Sequence, residues 1–107
     1  MKLIPKLIAL DKIKKYQRLL KQKMGSLKIH SGHVVLKKGE NIGEHLTDGV
    51  EEMLIILDGK ASVIIDRKKV IKAKMNSVVY VPPNTLHDVK NISSKILRYI
   101  YITSPTN

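Results

Sequence analysis

The chain has 107 residues and a formal net charge of +11, with no cysteine, phenylalanine or tryptophan. This length suffices for one domain, whose core must be largely aliphatic, and the absence of cysteine excludes disulfides and thiolate zinc sites. The longest apolar run, residues 53–57, is far shorter than the roughly 20 residues of a membrane span. We therefore expect a cytoplasmic protein that does not enter a membrane.

The positive charge is concentrated near the N-terminus. Residues 1–28 contain nine of the 20 Lys and Arg residues, and Asp11 is their only acid. Such a segment could attract nucleic acid, anionic lipid or an anionic small molecule. Because no nucleic-acid motif or aromatic stacking platform accompanies it, a solvated lysine-rich surface is the favoured interpretation and nucleic acid is disfavoured as a partner.

The first 24 residues are predicted to form an arm or a helix. Pro5 interrupts an apolar lead over residues 3–10, which is typical of an edge strand or an irregular arm. After Asp11, a possible N-cap, apolar residues follow at helical spacing: Ile13, Tyr16, Leu20 and Met24. An extended arm that packs on the barrel or on a partner subunit would use the same residues. We therefore divide the chain into an arm or helix over residues 1–24 and a domain over residues 25–107.

From Gly25 onward the sequence has the pattern of short strands with polar turns between them. The pair Asp58-Gly59 is a hairpin signal between apolar strands. Strands at this spacing without a long helix predict an all-β barrel or sandwich. The predicted strands cover residues 27–37, 51–57, 61–65, 70–73, 78–81, 86–92 and 96–103.

Two stretches carry residues suited to metal binding. In the first, His45, Thr47 and Glu52 lie between two turn glycines, Gly39 and Gly59. The second contains Pro82, Asn84, His87 and Asn91. Together these stretches resemble the two motifs of the cupin family over residues 39–91.

The chain departs from the family pattern at a few positions. Thr47 stands where the first motif usually has a second histidine. Asn76 and Asn84 replace two glycines, but asparagine tolerates the left-handed backbone of such turns, so we expect the turns to be intact.

The resemblance implies an all-β double-stranded β-helix, or jelly-roll, barrel with a short N-terminal arm or helix. It also implies a divalent transition metal, such as Fe, Mn, Ni, Zn or Cu, held by His45, Glu52 and His87. Two imidazoles and one carboxylate form a facial ligand set with open positions. We expect His45 and Glu52 on neighbouring strands, His87 on the facing sheet, and Thr47 beside the metal as a weak oxygen contact or a water-positioning group.

Other polar and aromatic residues have structural interpretations. We expect His30 and His33 at the surface, although His30 shares the inward parity of Val34 and could reach the cavity. The three tyrosines of the second half could line the cavity or a subunit contact, and packing is the favoured role: Tyr80, Tyr99 and Tyr101.

Strand residues 51–57 are apolar on both faces. If Glu52 points inward, Leu54 shares its face, whereas Met53 and Ile55 point outward with Leu57. The outer apolar face needs a cover. We therefore predict a homodimer, with the N-terminal arm as a second cover.

Three functions of different class follow. The first is a metal-dependent enzyme acting on an unidentified small molecule, and the second is a non-enzymatic small-molecule or sugar-binding module with a degenerate metal site. The third, which ranks last, is a protein that binds nucleic acid or another anionic partner through its basic N-terminus. The sequence shows no phosphate-binding loop and no nucleophile elbow.

Overall fold

The computed structural model describes residues 3–107, in which ten strands and no helix are present. No segment of this range is a helix with the length and apolar character of a membrane span. The strands are β1 (Tyr16–Gln22), β2 (Gly25–Ser26), β3 (His30–Leu36), β4 (His45–Leu46), β5 (Val50–Asp58), β6 (Lys60–Ile65), β7 (Lys69–Lys74), β8 (Ser77–Val81), β9 (Leu86–Asn91) and β10 (Leu97–Pro105).

The strands form two sheets. The larger sheet has the order β2-β1-β3-β10-β5-β8, and the smaller has the order β4-β9-β6-β7. All pairs are antiparallel except the short β1–β2 pair. From β3 to β10 the chain passes repeatedly from one sheet to the other, which is the winding of a double-stranded β-helix. The predicted fold class is confirmed.

The core lies between the inward faces of the two sheets. On β5 the side chains of Glu52, Leu54 and Ile56 are buried, while Met53 is exposed, so the predicted parity of this strand is confirmed. Aliphatic side chains supply most of the core, as the composition requires: Val34, Leu36, Leu54, Ile56, Val63, Val79, Val81, Val89 and Leu97, with Tyr99.

Asparagine residues fix several connections. Asn76 and Asn84 have φ values of 68° and 57°, which confirms that these turns are intact without glycine. Asn91 is buried, and its Nδ2 donates to the carbonyls of Leu36 (3.0 Å) and Lys95 (2.7 Å). The side chain of Asn91 therefore ties the β9–β10 connection to the end of β3.

The helix predicted after Asp11 is wrong. Oδ1 of Asp11 does accept hydrogen bonds from the amides of Ile13 (2.9 Å) and Lys14 (3.2 Å), as an N-cap would, but the chain then extends into β1. β1 pairs with β3, placing Tyr16 opposite Val34. Pairing satisfies the backbone hydrogen-bonding groups along an edge of β3 that would otherwise be open. The stabilisation from this pairing outweighs the local preference for a helix that the spacing of the apolar residues indicates.

The arm thus extends the larger sheet, with its extended part at residues 16–22. The division at residue 24 and the packing of the arm on a partner subunit stay predictions, and residues 1 and 2 of the predicted arm lie outside the described residues.

The hairpin predicted at Asp58-Gly59 is also wrong. β5 and β6 belong to different sheets, so the chain turns there without pairing the two strands. Both edges of β5 are already occupied, by β10 and β8. Gly59 has φ of 84°, so the residue is needed for the turn even though no hairpin forms.

His33 is not at the surface, which corrects the prediction for this residue. Its exposed fraction is 0%. It lies on the outer face of β3, where the arm residues Lys12 and Ile13 flank Val35. Burial, and then the charge of Arg98, hold the pKa of His33 below its usual value.

Candidate metal centre

The structure brings together the three residues predicted to ligate a metal. His45 comes from β4, Glu52 from β5 and His87 from β9, and one ligand atom from each lies within 4.8 Å of the others. Nε2 of His87 is 2.9 Å from Oε1 of Glu52, and Nε2 of His45 is 3.9 Å from the same oxygen. Three donor atoms therefore converge on one point between the sheets.

The sheet assignments of these residues differ from the prediction. His45 and His87 are direct cross-strand partners in the smaller sheet, with ring centroids 4.0 Å apart. Glu52 reaches them from the larger sheet, and it is the carboxylate, not His87, that crosses the barrel. The chain changes sheets between His45 and Glu52, so β4 and β5 do not pair with each other, and β4 pairs with β9 instead.

Both imidazoles are oriented by backbone carbonyls. Nδ1 of His45 is 3.0 Å from the Gly43 carbonyl, and Nδ1 of His87 is 3.3 Å from the Thr85 carbonyl. A carbonyl only accepts, so each Nδ1 carries the hydrogen and donates it. Each Nε2 is then left with a lone pair, the state that ligates a metal.

His87 supplies a direct test of whether a cation suits the site. With the hydrogen on Nδ1, its buried Nε2 has no hydrogen-bond partner among residues 3–107 and faces Oε1 of Glu52, another acceptor, at 2.9 Å. A buried polar atom without a partner costs about 1–3 kcal/mol. A divalent cation between Nε2 and the carboxylate would satisfy both groups, so the donor set suits a metal.

Burial differs across the three ligands. Glu52 is only 6% exposed and His87 is buried, whereas the His45 side chain is 47% exposed. Burial by itself lowers the pKa of His87, but the Glu52 carboxylate and the Thr85 carbonyl raise it by more, and the net pKa lies above its usual value. The site is therefore closed on the His87 side and accessible on the His45 side.

A cavity of about 280 Å³ opens beside His45 and Glu52. Its walls include aliphatic side chains such as Val34, Leu54 and Val89, and its polar side includes the residues His30, Tyr16, Tyr99, Tyr101 and Thr103. His30 therefore lines the cavity, as its parity allowed, and does not lie simply on the surface. Its Nε2 is 2.9 Å from Nη1 of Arg18.

Sequence reasoning missed two contributors to this site. Asp88 holds the loop before His45, since its carboxylate accepts from the Gly43 amide (2.9 Å) and from Nδ2 of Asn41 (2.9 Å). Tyr16 is predicted in a helix or an extended arm, with no role at the site, yet its hydroxyl is 2.6 Å from that of Tyr101, which lines the cavity. Nothing local marks either residue, since the β1 sequence YQRLLKQ lacks the alternation of a strand with one buried face.

Thr47 has a structural role that the sequence did not indicate. It is 2% exposed, and its Oγ1 donates to the Pro82 carbonyl (2.7 Å) and accepts from the Thr85 amide (2.9 Å). The Asn84 amide in turn donates to the Thr47 carbonyl (2.7 Å). The hydroxyl hydrogen is thus used to hold two loops together, and the predicted water-positioning role is not what this geometry provides.

We expect Thr47→Val to lower the free energy of unfolding by about 1–3 kcal/mol, because it removes the acceptor of the buried Thr85 amide and the donor to Pro82. Thr47→Ser, which keeps the hydroxyl, is the matched control and should lose less. Urea denaturation measures both. Equal stability of the valine variant and the wild type would contradict the assigned role.

Comparison with known proteins identifies the family. The family model described as "Cupin domain" matches residues 32–103. The chain belongs to the cupin family. The match contains the whole of the stretch that carried the sequence resemblance, residues 39–91, whereas β1 and β2 lie before it.

Individual cupins are similar in fold. An uncharacterised protein of Methanocaldococcus jannaschii is 26% identical over 101 residues, which cover 90% of this chain and 86% of that protein. The crystal structure of that archaeal protein, described as an RmlC-like cupin, matches at a TM-score of 0.81 and 24% identity, covering 97% of this chain and 94% of that chain.

Two further solved structures share the fold. A predicted oxalate decarboxylase from Thermotoga maritima has a TM-score of 0.77 at 20% identity, with 84% of this chain and 78% of that chain covered. The Schizosaccharomyces pombe Cnp3 cupin domain has a TM-score of 0.75 at 21% identity, and the match covers 84% of this chain but only 63% of that one.

Proposed function

We propose that this cupin binds one divalent transition metal through His45, Glu52 and His87 and holds a small molecule against it in the adjoining cavity. The observation that carries the proposal is the convergence of two Nε2 lone pairs and one carboxylate oxygen within 4.8 Å, next to an open cavity. Thr47 lies outside the ligand set in this proposal, because its hydroxyl is bonded to backbone groups.

Different residues of this chain would orient the imidazoles, supply the negative charge and surround the ligand. The Gly43 and Thr85 carbonyls keep the imidazole hydrogens on Nδ1, and the buried Glu52 supplies negative charge from the facing sheet. The apolar walls of the cavity exclude water around the ligand. A bound divalent metal would supply Lewis acidity, which polarises a coordinated oxygen.

The general affinity order favours nickel, copper or zinc over manganese or iron at a site of this kind in vitro. The ion that the cell supplies can differ from that order.

A non-enzymatic module that binds a small molecule or a sugar is the second candidate. Among residues 3–107, the cavity lining contains no acid beyond the three candidate ligands and only one other histidine, His30, which is hydrogen-bonded to Arg18. A general acid or base separate from the metal ligands is therefore hard to assign. Turnover of a substrate by the metal-loaded protein would separate the enzyme from the binding module.

Homodimer formation and a cytoplasmic location stay predictions. The exposed side chains of Met53, Val78 and Tyr80 on the outer face of the larger sheet support a second copy as the cover of that face. That nucleic acid is an unlikely partner of the basic arm also stays a prediction.

We expect the protein to take up nickel or zinc at a pH one unit above the usual histidine pKa of about 6.5, and to release the ion one unit below it. The raised pKa of His87 means that protons compete already above the usual value. In the metal-free protein, this histidine contributes stability at low pH that is lost as pH rises through its raised pKa. The stabilisation by bound metal should have the opposite pH dependence and increase as the pH rises.

Thermal unfolding with and without metal across this range, together with elemental analysis after gel filtration, measures both trends. The metal-free protein is the control for the pH dependence of folding itself. If none of these ions is retained at the higher pH, the site is degenerate and the binding module without metal becomes the better description.

A further inference from the structure

The four tyrosines differ in how their hydroxyl groups are used. Those of Tyr16 and Tyr101 bond to each other at 2.6 Å, and the Tyr80 hydroxyl donates to Oε1 of Glu51 at 2.8 Å. Tyr99 is the exception, since its hydroxyl has no hydrogen-bond partner within residues 3–107. The residue as a whole is only 3% exposed, but its hydroxyl is not one of the buried unpartnered atoms.

The position of Tyr99 makes this free hydroxyl informative. It lies on β10, between Val34 of β3 and Ile56 of β5, and lines the cavity that also contains His45 and Glu52. The hydroxyl is open to this cavity and is not bonded to the protein, so a molecule that enters the cavity can accept its hydrogen.

The electrostatic surroundings determine what Tyr99 can offer. Burial, and then the negative charges of Glu52 and Asp88, raise the pKa of Tyr99 far above its usual value, so the phenol keeps its hydrogen. A protonated hydroxyl facing a cavity is a donor for an acceptor oxygen.

A cationic side chain lies beside one of the residues that line the cavity, His30. Arg18 projects on the same face of β1 as Tyr16, and its Nη1 is 2.9 Å from Nε2 of His30. Burial, and then the charge of Arg18, lower the pKa of His30, so the ring is neutral and accepts from the guanidinium. Arg18 forms no ion pair with any carboxylate of the described chain. A positive charge without an acidic partner therefore lies next to His30, which lines the cavity.

We propose that the ligand of this site is a small carboxylic acid, and that Tyr99 is a positioning residue whose hydroxyl donates a hydrogen bond to one of its oxygens while another oxygen coordinates the metal. This inference rests on the proposed function, since it requires a metal at His45, Glu52 and His87. It goes further by naming the ligand class and a residue outside the ligand set. Tyr99 acts on the ligand, not on the metal.

The test uses the full chain loaded with Co²⁺, whose visible absorption changes when a ligand enters its coordination shell. Glycolate and malonate are the probes, titrated to millimolar concentration into the wild type and Tyr99→Phe. Phenylalanine keeps the ring and removes no internal hydrogen bond, so folding should be retained. We expect Co²⁺ to bind both proteins equally and Tyr99→Phe to weaken the binding of the acid by about three- to tenfold.

Tyr80→Phe is the matched control, because it removes a tyrosine hydroxyl on the outer face of the barrel. It should leave the affinity for the acid unchanged. Equal affinity of the wild type and Tyr99→Phe for the acids would overturn the inference, and so would the absence of a spectral response of the wild-type Co²⁺ protein to either acid. Neither result would contradict the proposed metal site. Failure of the wild type to bind Co²⁺ at all would instead remove the proposed function.

Discussion

His87→Ala should weaken the binding of nickel or zinc by more than about a hundredfold. Loss of a mere outer-shell partner of a metal ligand costs about 10–100-fold in affinity, and the loss of a ligand should exceed this. His87 is the buried imidazole of the set, with Nε2 2.9 Å from the Glu52 oxygen, so water cannot easily replace it in the same geometry. Isothermal titration calorimetry at a pH above the histidine range measures the effect.

His30→Ala is the matched control for this prediction. His30 lines the same cavity, but its Nε2 is directed to Arg18, so its removal should leave metal affinity nearly unchanged. Circular dichroism of both variants without metal establishes that the barrel is folded. Undiminished affinity in a folded His87→Ala protein would show that the ion binds elsewhere.

The second large effect is expected at the turn between the sheets. Gly59→Ala should lower the free energy of unfolding by about 2–5 kcal/mol, the sum of left-handed backbone strain and a steric overlap. Gly59 has φ of 84°, and an added Cβ would lie 2.8 Å from the Ile96 carbonyl oxygen and 3.1 Å from Cα of Leu97. Both contacts are with backbone, which cannot move aside as a flexible side chain would.

A comparison with Gly39→Ala separates the backbone strain from the steric overlap. Its φ is 79°, but a Cβ there would meet nothing within 4 Å. Gly39→Ala should therefore show the strain alone, about 1–2 kcal/mol. Chemical denaturation of the two variants gives the steric contribution by difference. Similar losses in both would mean that the Ile96–Leu97 backbone yields more readily than its packing indicates.

The cluster of His45, Glu52 and His87 could be predicted because it depends on residue type and motif spacing, which survive in a single sequence. The inward parity of Glu52 followed from alternation on β5, and the left-handed turns at Asn76 and Asn84 followed from what asparagine tolerates. In each case the determining physics is local, or the pattern is shared with a known family.

The errors have a common physical origin in strand pairing over long sequence distances. Asp58-Gly59 predicts a reversal but not which strand receives the returning chain, and β10 and β8 had already taken both edges of β5. Tyr16 became part of the cavity, and not of a helix, because β3 offered an edge to β1. The burial of His33 likewise depends on where the arm lies. Nothing in the neighbouring sequence specifies such contacts.

The position of β10 in the larger sheet has a consequence for how the chain folds as it is synthesised. β10 lies between β3 and β5 and is hydrogen-bonded to both, yet it is made after the nine other strands of the described chain. Until it emerges from the ribosome, β3 and β5 each present an unpaired edge to other nascent chains. Closure also requires a contact between distant parts of the sequence, which makes barrel formation slow compared with hairpin formation. The interval before β10 docks is therefore the period in which this chain is most vulnerable to aggregation.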